Sequence, residues 1–413
     1  MRMTPTHGIR PNMLQFSLQL LQVFLVGSLV GMTRTVLPKL AESDFGLAAT
    51  SFMALATFVA VFGVVKAGLN LAAGSLSDRW GRRRVLILGW LSALPVPFLI
   101  LYGPSWGWII LATVFLGINQ GLSWSMALNS KLDLTHARQR GLVNGFNEFA
   151  GYGGVALAGI FSAVVVEAYG ARLGLFLFST AVIVSALVIA QILVRETRPW
   201  ALLHLGDAST APEPMAMRRL FGYASWGNRS LFALNQAGLV EKFTDAIVWL
   251  FFPVYFLANG MSLVASGGLV AVYGLVWGGG QLVTGPLSDR ISRKLMIVVG
   301  MWLCGAGVLA VSVTTTPWLW VAELTVIGAG MAMLYPTLGA SVADHADPAQ
   351  RAGILGIYRF WRDLGYALGG LGLGLVAQLS EGITLPFWFV GVSMFLSGLY
   401  LMVRLSSPVT ART

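Results

Sequence analysis

The sequence has few charged residues and lacks most of the residues that enzymes and metal sites require. Only 11% of its 413 residues are charged, against about 25% in an ordinary soluble domain. Its single cysteine, Cys304, excludes an intrachain disulfide. The four histidines all lie outside the long apolar stretches, and no Gly-Lys-Ser/Thr phosphate loop is present. These absences exclude a soluble enzyme and ATP as the energy source, and we expect no cofactor and no metal.

Apolar residues make up 56% of the chain and recur in long stretches from end to end. A membrane-spanning helix needs about 20 mainly apolar residues. Twelve segments meet this requirement: 13–38, 48–73, 85–103, 107–128, 142–166, 173–194, 230–258, 264–284, 295–314, 317–339, 353–378 and 385–404. The first run is too long for a signal-peptide core. We therefore expect a retained first span and a multi-pass protein in a lipid bilayer.

The basic residues predict the orientation of these spans. With the N-terminus in the cytoplasm, 20 Lys and Arg residues fall on the cytoplasmic side and two on the outer side. Such a bias is typical of inner-membrane proteins. It predicts a bacterial inner-membrane protein with both termini in the cytoplasm. It also accounts for the net charge of +10 without nucleic acid as a partner.

The two halves of the sequence repeat at an offset of 211 residues. Residues 74–83 read GSLSDRWGRR and residues 285–294 read GPLSDRISRK. The same offset carries Asp133 onto Asp344. A duplicated six-helix unit follows, with predicted boundaries of 1–194 for the first bundle, 195–229 for a cytoplasmic linker and 230–413 for the second bundle.

The stretch 74–83 resembles the motif G-x-L-x-D-R-x-G-R-R of major facilitator superfamily transporters, and it follows the second span as it does in that family. The resemblance covers the whole chain. It implies an all-α integral membrane protein of 12 transmembrane helices in two pseudo-symmetric six-helix bundles. These bundles would rock about a central cavity, so that a small-molecule substrate is exposed to each side in turn.

The same resemblance implies a cytoplasmic gate. Its residues are Asp78, Arg82 and Asp133, together with their copies in the second half, Asp289, Arg293 and Asp344. Asp78 would lie near the N-terminus of span eleven, where the helix dipole favours a carboxylate. The alternative is a solvated basic loop that only follows the orientation rule.

Ionisable and polar residues inside the spans are candidates for the substrate and coupling cavity, because a charge in the bilayer is costly unless it is paired or hydrated. Helical spacing groups them into stripes on spans two, five, seven and eleven: Lys66, Asn70, Asn144, Asn147, Glu148, Tyr152, Glu241, Lys242, Asp245, Arg359, Arg362, Asp363 and Tyr366. The alternative is internal salt bridging that only packs helices. Arg34 and Glu323 lie near the outer ends of their predicted spans and are candidates for an outer gate.

Cations equal acids within the spans, so that neutralising one acid leaves a positive cavity suited to an anion or a zwitterion. We expect a proton on Glu148, Glu241 or Asp245 to couple to transport. The favoured interpretation is a monomeric, proton-coupled exporter of a small organic molecule. The alternatives are an importer or exchanger of polar organic anions or metal chelates, and a transport-inactive receptor or lipid-handling scaffold. Gly117 stands where many proton-coupled members have an arginine, which leaves the coupling ion open.

Overall fold

The computed structural model describes residues 6–47, 51–136, 139–204, 215–288, 290–347 and 350–406, and every regular element in those ranges is a helix. The first bundle contains α1 (Met13–Phe45), α2 (Phe52–Trp80), α3 (Arg82–Ala93), α4 (Pro95–Tyr102), α5 (Trp106–Leu134), α6 (Arg140–Tyr169) and α7 (Ala171–Ile192). The connection holds α8 (Arg198–His204), α9 (Met217–Gly222) and one π-helical turn (Tyr223–Gly227). The second bundle contains α10 (Arg229–Leu250), α11 (Phe252–Ala258), α12 (Leu263–Leu287), α13 (Arg293–Val311), α14 (Pro317–His345), α15 (Arg351–Ser380) and α16 (Thr384–Arg404).

Ten helical segments in the described ranges are long and apolar enough to cross a membrane, with α3 and α4 counted as one. The two other predicted spans, α10–α11 and α15, form helices but are not among these ten. They carry most of the acids and arginines predicted inside the bilayer, which lower their hydropathy. The all-helical membrane fold is confirmed, whereas the count of twelve spans stays a prediction for these two segments.

Prolines interrupt two of the predicted spans. Pro95 begins α4 directly after the break that ends α3, and Pro253 follows the break between α10 and α11. A proline has no N–H to donate and its ring clashes with the preceding turn, so a continuous helix is broken there. The charged part of span seven therefore lies entirely in α10, on one side of its break.

Two contacts related by the repeat join the bundles. α2 packs on α15, and α12 packs on α6. At the first crossing, a Cβ on Gly63 would lie 2.7 Å from the backbone nitrogen of Ala367, and at the second a Cβ on Gly274 would lie 3.3 Å from the Cβ of Ala156. Gly63 and Gly274 are 211 residues apart, and so are Ala156 and Ala367. Small residues at these positions let the helix backbones approach closely, as is common between membrane helices.

Glycines also permit close packing within the first bundle. A Cβ on Gly154 of α6 would lie 2.1 Å from the carbonyl oxygen of Phe24 in α1, whereas a Cβ on its neighbour Gly153 would meet nothing within 4 Å. Gly365 repeats the contact in the second bundle, against the carbonyl oxygen of Leu239. These glycines therefore serve helix packing.

We expect Gly154→Ala to destabilise the protein, because the added methyl group forces α1 and α6 apart. Overpacking of this kind costs about 1–3 kcal/mol. Gly153→Ala on the same helix is the matched control and should be neutral or slightly stabilising, since alanine favours helix by about 1 kcal/mol over glycine. Thermal unfolding of the purified protein in detergent measures both, and equal melting temperatures for the two variants would contradict the contact.

Candidate functional site

A central cavity of about 480 Å³ lies between the two bundles. Its wall comes from α2, α5 and α6 of the first bundle and from α12, α14 and α15 of the second. The cavity runs from Lys66 and Asp363 in the middle of their helices to Ser288 and Arg351 at helix ends. Those ends lie on the side where α1 begins and α16 ends, which is the predicted cytoplasmic side.

The wall of the cavity follows the internal repeat. Among the described residues, six pairs that line it are separated by 211 positions: Asn70 and Gln281, Trp124 and Tyr335, Ser125 and Pro336, Leu128 and Gly339, Asn144 and Leu355, and Glu148 and Arg359. Equivalent residues therefore face the same space from the two bundles. In the last pair, the charge changes sign across the cavity.

The structure divides the predicted cavity residues into two groups. Seven of them line the cavity: Lys66, Asn70, Asn144, Glu148, Arg359, Arg362 and Asp363. The other six do not line it and are buried behind the wall: Asn147, Tyr152, Glu241, Lys242, Asp245 and Tyr366. Helical spacing placed both groups on the same stripes, but the close approach of neighbouring helices covers the second group.

Asp363 is the centre of a polar cluster in the cavity wall. Its carboxylate lies 3.4 Å from the Lys66 ammonium and 3.4 Å from the Arg362 guanidinium, and it accepts a hydrogen bond from the Asn70 amide. The Arg362 guanidinium also stacks over the ring of Tyr335, at 4.4 Å. This carboxylate is therefore shared by two cations, as the internal salt-bridge alternative expects, and it also lines the cavity.

Glu148 and Arg359 differ from that cluster, since neither forms an ion pair with any described residue. Glu148 is 5% exposed, and its Oε1 accepts hydrogen bonds from Asn147 at 2.7 Å and from the Trp124 indole at 3.4 Å. Its Oε2 is buried without a hydrogen-bond partner. Away from the rim, where Arg351 lies, the cavity wall thus holds one acid and one base that form no ion pair among the described residues.

A second charge cluster lies behind the cavity wall. Arg34 of α1 donates two hydrogen bonds to Asp245 of α10, at 2.5 and 2.8 Å. Asp245 also accepts from the hydroxyls of Tyr366 and Tyr273 and lies 3.8 Å from the Lys242 ammonium. Lys242 in turn contacts Glu241 at 3.2 Å. Arg34 and Asp245 are 211 residues apart, so this bidentate pair joins equivalent positions of the two bundles.

The position of Arg34 corrects one expectation. The sequence placed it near the outer end of its span, but α1 continues to Phe45, and Arg34 is 2% exposed inside the protein. Glu323 does lie near the outer end of α14, where it accepts a hydrogen bond from Thr314 at 3.0 Å. Arg34 therefore occupies the layer that separates the cavity from the outer side.

Aromatic side chains complete this closed outer layer. The rings of Phe58 and Phe62 on α2 lie 5.5 and 5.0 Å from the indole of Trp249 on α10. Nearer the outer ends, Phe52 stacks on Phe251 with ring centroids 5.7 Å apart. Contacts across the bundles thus close the outer side, while the cavity extends to the other side.

Residues predicted to form the cytoplasmic gate contact one another within each bundle. Arg82 contacts Asp78 at 2.8 Å and Asp133 at 3.1 Å. Arg293 contacts Asp344, whereas Asp289 lies outside the described residues. The side chain of Asp78 is 73% exposed, and no contact between Asp78 and α15 is found among the described residues. The role of these residues as a gate between the bundles stays a prediction.

Several residues of the site were missed by the sequence analysis. Tyr335 and Gln281 line the cavity, and the offset of 211 would have found them from Trp124 and Asn70. Lys131 counted as a loop residue in the orientation tally, but it is 0% exposed in α5, and its ammonium donates to the carbonyl of Gln19 at 3.1 Å. The predicted span ended at residue 128, because the apolar run ends there, whereas α5 continues to Leu134.

The family follows from a comparison with known sequences. The Major Facilitator Superfamily model matches residues 20–370, and a second, overlapping match covers 234–413. The chain belongs to the Major Facilitator Superfamily. A solved structure of the nucleoside transporter NupG covers 95% of this chain and 100% of its own at a TM-score of 0.75 and 14% identity, which shows the shared fold.

Curated members of the superfamily are similar to this chain at low identity. The proton-coupled antiporter flippase LtaA of Staphylococcus haemolyticus is 24% identical over 78% of each chain. The class G tetracycline resistance protein of Vibrio anguillarum is 25% identical over 80% of this chain and 82% of its own. A probable 4-methylmuconolactone transporter of Cupriavidus pinatubonensis is 25% identical over 61% of this chain and 59% of its own. The chain is thus a transporter-family membrane protein.

We expect Asp245→Asn to destabilise the closed outer layer strongly, because it leaves the Arg34 guanidinium buried without its counter-charge. Breaking a buried ion pair from one side costs about 3–5 kcal/mol. The double variant Arg34→Gln with Asp245→Asn removes both charges and should recover much of that loss. Thermal unfolding in detergent measures all three proteins.

The matched control for this prediction is Asp44→Asn, which breaks the partly exposed pair of Asp44 with Arg172 on the same helix as Arg34. Exposed pairs contribute about 0.2–1 kcal/mol. An equal loss for Asp44→Asn and Asp245→Asn, or a double variant no more stable than Asp245→Asn, would contradict the role assigned to the central pair.

Proposed function

We propose that this protein is a secondary active transporter of small organic molecules that carry a negatively charged group. The observation that supports this is the charge of the cavity wall. Among the described lining residues, the cations are Lys66, Arg351, Arg359 and Arg362, and the carboxylates are Glu148 and Asp363. A concave site with an excess of one charge attracts ligands of the opposite charge. An exporter of lipophilic cations would be expected to have the reverse balance.

Glu148 is the residue best suited to couple transport to protons. Asp245 and Asp363 are each held by cations, and Glu241 contacts Lys242. Glu148 has no cation partner among the described residues, is nearly buried and faces the cavity. Protonation of a carboxylate in such a site removes a buried charge that has no direct ion pair among the described residues. Proton binding and substrate binding therefore both depend on whether the Glu148 carboxylate is charged.

The direction of transport that we propose is efflux in exchange for protons, across the bacterial inner membrane, with both termini in the cytoplasm. The relatives named as a proton-coupled antiporter flippase and as a tetracycline resistance protein support this direction. Uptake or exchange of organic anions remains the second candidate, because the positive cavity serves it equally and one relative is named as a probable 4-methylmuconolactone transporter.

Proteoliposomes loaded with a pH-sensitive dye test this function. We expect addition of organic acids, with benzoate and 4-methylmuconolactone as probes, to drive proton movement that uridine and tetracycline drive weakly. Glu148→Gln should reduce transport driven by an imposed pH gradient at least tenfold, while counterflow of the same probe persists. Glu167→Gln, an exposed acid on the same helix, is the matched control.

Each outcome of this test decides a separate part of the proposal. A proton signal unchanged in Glu148→Gln contradicts coupling through this residue. Counterflow of tetracycline without any response to the acids contradicts the anion preference. Accumulation of the probe inside under a proton gradient directed inward, with no effect of one directed outward, would favour the importer over the proton-exchanging exporter.

A further inference from the structure

Two cavity charges that form no ion pair among the described residues occupy equivalent positions in the repeat. Glu148 on α6 and Arg359 on α15 are 211 residues apart, and both line the cavity. We propose that the substrate is bipolar: its carboxylate binds Arg359, and a hydrogen-bond donor next to that carboxylate, an ammonium or a hydroxyl, binds Glu148. This inference rests on the proposed function and names the substrate class of the same cavity.

The other charges of the wall already have partners. Lys66 and Arg362 share Asp363, each at 3.4 Å. Arg351 at the rim donates to the carbonyl oxygen of Ala343 at 3.1 Å. Arg351 forms no ion pair among the described residues, but it lies at the rim, as the first residue of α15. Deeper in the cavity, the charges left for a ligand are one carboxylate from the first bundle and one guanidinium from the second.

The surroundings of Glu148 point to a missing donor. Two N–H groups, from Asn147 and Trp124, hold Oε1, whereas Oε2 is buried and has no hydrogen-bond partner. A buried carboxylate oxygen without a donor is costly. A ligand ammonium or hydroxyl at Oε2 would complete this group, and a plain monoanion would leave it unpaired and repelled.

The surroundings of Arg359 provide the complementary end. A guanidinium suits a carboxylate because its N–H groups match the two oxygens. The hydroxyl of Tyr358, which also lines the cavity, is buried and has no hydrogen-bond partner. This hydroxyl packs against α10, where a Cβ on Gly238 would lie 3.1 Å from it. Arg359 is therefore the group that we assign to the ligand carboxylate.

The cavity wall also carries aromatic side chains. Trp124 of α5 and Tyr335 of α14 are also equivalent in the repeat and both line the cavity. Aromatic faces accept apolar groups and rings. The ligand class is therefore an amino acid or hydroxy acid with an apolar or aromatic body.

A matched series of probes tests the proposal on the purified full-length protein. The series comprises phenylalanine, 3-phenyllactate, 3-phenylpropionate and phenethylamine, which share one ring and differ in their charged ends. We expect phenylalanine and 3-phenyllactate to bind at least about tenfold more tightly than 3-phenylpropionate, since a hydrogen bond to a charged group contributes that much. Phenethylamine should bind the most weakly of the four. Calorimetry at one fixed pH gives the dissociation constants.

Two variants assign the two ends of the ligand. Glu148→Gln should remove the advantage of phenylalanine over 3-phenylpropionate while 3-phenylpropionate still binds. Arg359→Gln should weaken all three carboxylates by at least about tenfold. The exposed residues Glu167 and Arg404 provide the matched controls, Glu167→Gln and Arg404→Gln, which should leave the constants unchanged.

A charge reversal uses the pseudo-symmetry of the site. The double variant Glu148→Arg with Arg359→Glu restores one acid and one base in exchanged positions, so a bipolar ligand can bind in the reversed orientation. We expect it to bind phenylalanine more tightly than either single variant does. Failure of this recovery, in a double variant that melts at the temperature of the unmodified protein, would contradict the bipolar site.

The outcomes separate this proposal from the one on which it rests. Equal binding of 3-phenylpropionate and phenylalanine, unchanged in Glu148→Gln, overturns the bipolar substrate but leaves an anion transporter. Binding of phenethylamine above the three acids overturns both proposals. If none of the four probes binds, although the same protein catalyses counterflow of benzoate, the bipolar substrate class is also overturned.

Discussion

The ion pair of Arg34 with Asp245 is the interaction on which the arrangement of the bundles depends. It joins equivalent positions of the two halves, is buried, and supplies the only direct neutralisation that the Arg34 guanidinium has among the described residues. A pair in this environment is costly to break from one side. It therefore holds α1 against α10 in the closed outer layer, while the cavity extends to the opposite side.

The repeat accounts for the shape of the cavity, and departures from the repeat account for its chemistry. Glycine and alanine contacts recur at both crossings of the bundles, so the two halves meet symmetrically. The charges of the cavity wall do not recur. Glu148 faces Arg359, and Asp363 corresponds to Tyr152, so the second bundle carries more charge than the first. A symmetric frame with an asymmetric charge distribution suits a ligand whose two ends differ.

The residues predicted to form the cytoplasmic gate make their ion pairs within one bundle. Arg82 is held by Asp78 and Asp133, all in the first bundle, while Asp78 stays largely exposed. The carboxylate of Glu196 also caps the start of α3 through the N–H groups of Arg82 and Arg83. These contacts fix the local geometry of the loop independently of the second bundle.

Composition, apolar run length and the distribution of basic residues by themselves determined that this is a multi-pass helical protein, since burial in a bilayer requires long apolar helices with basic connections. The 211-residue offset determined the duplicated architecture. Helical spacing found the charged stripes, but it could not tell which members face open space. Only the tertiary structure decided that Glu148 and Arg359 line the cavity while Arg34 and Asp245 pair behind it. The distance between side chains on two distant helices depends on how the helix backbones cross, and the periodicity of one helix carries no information about that crossing.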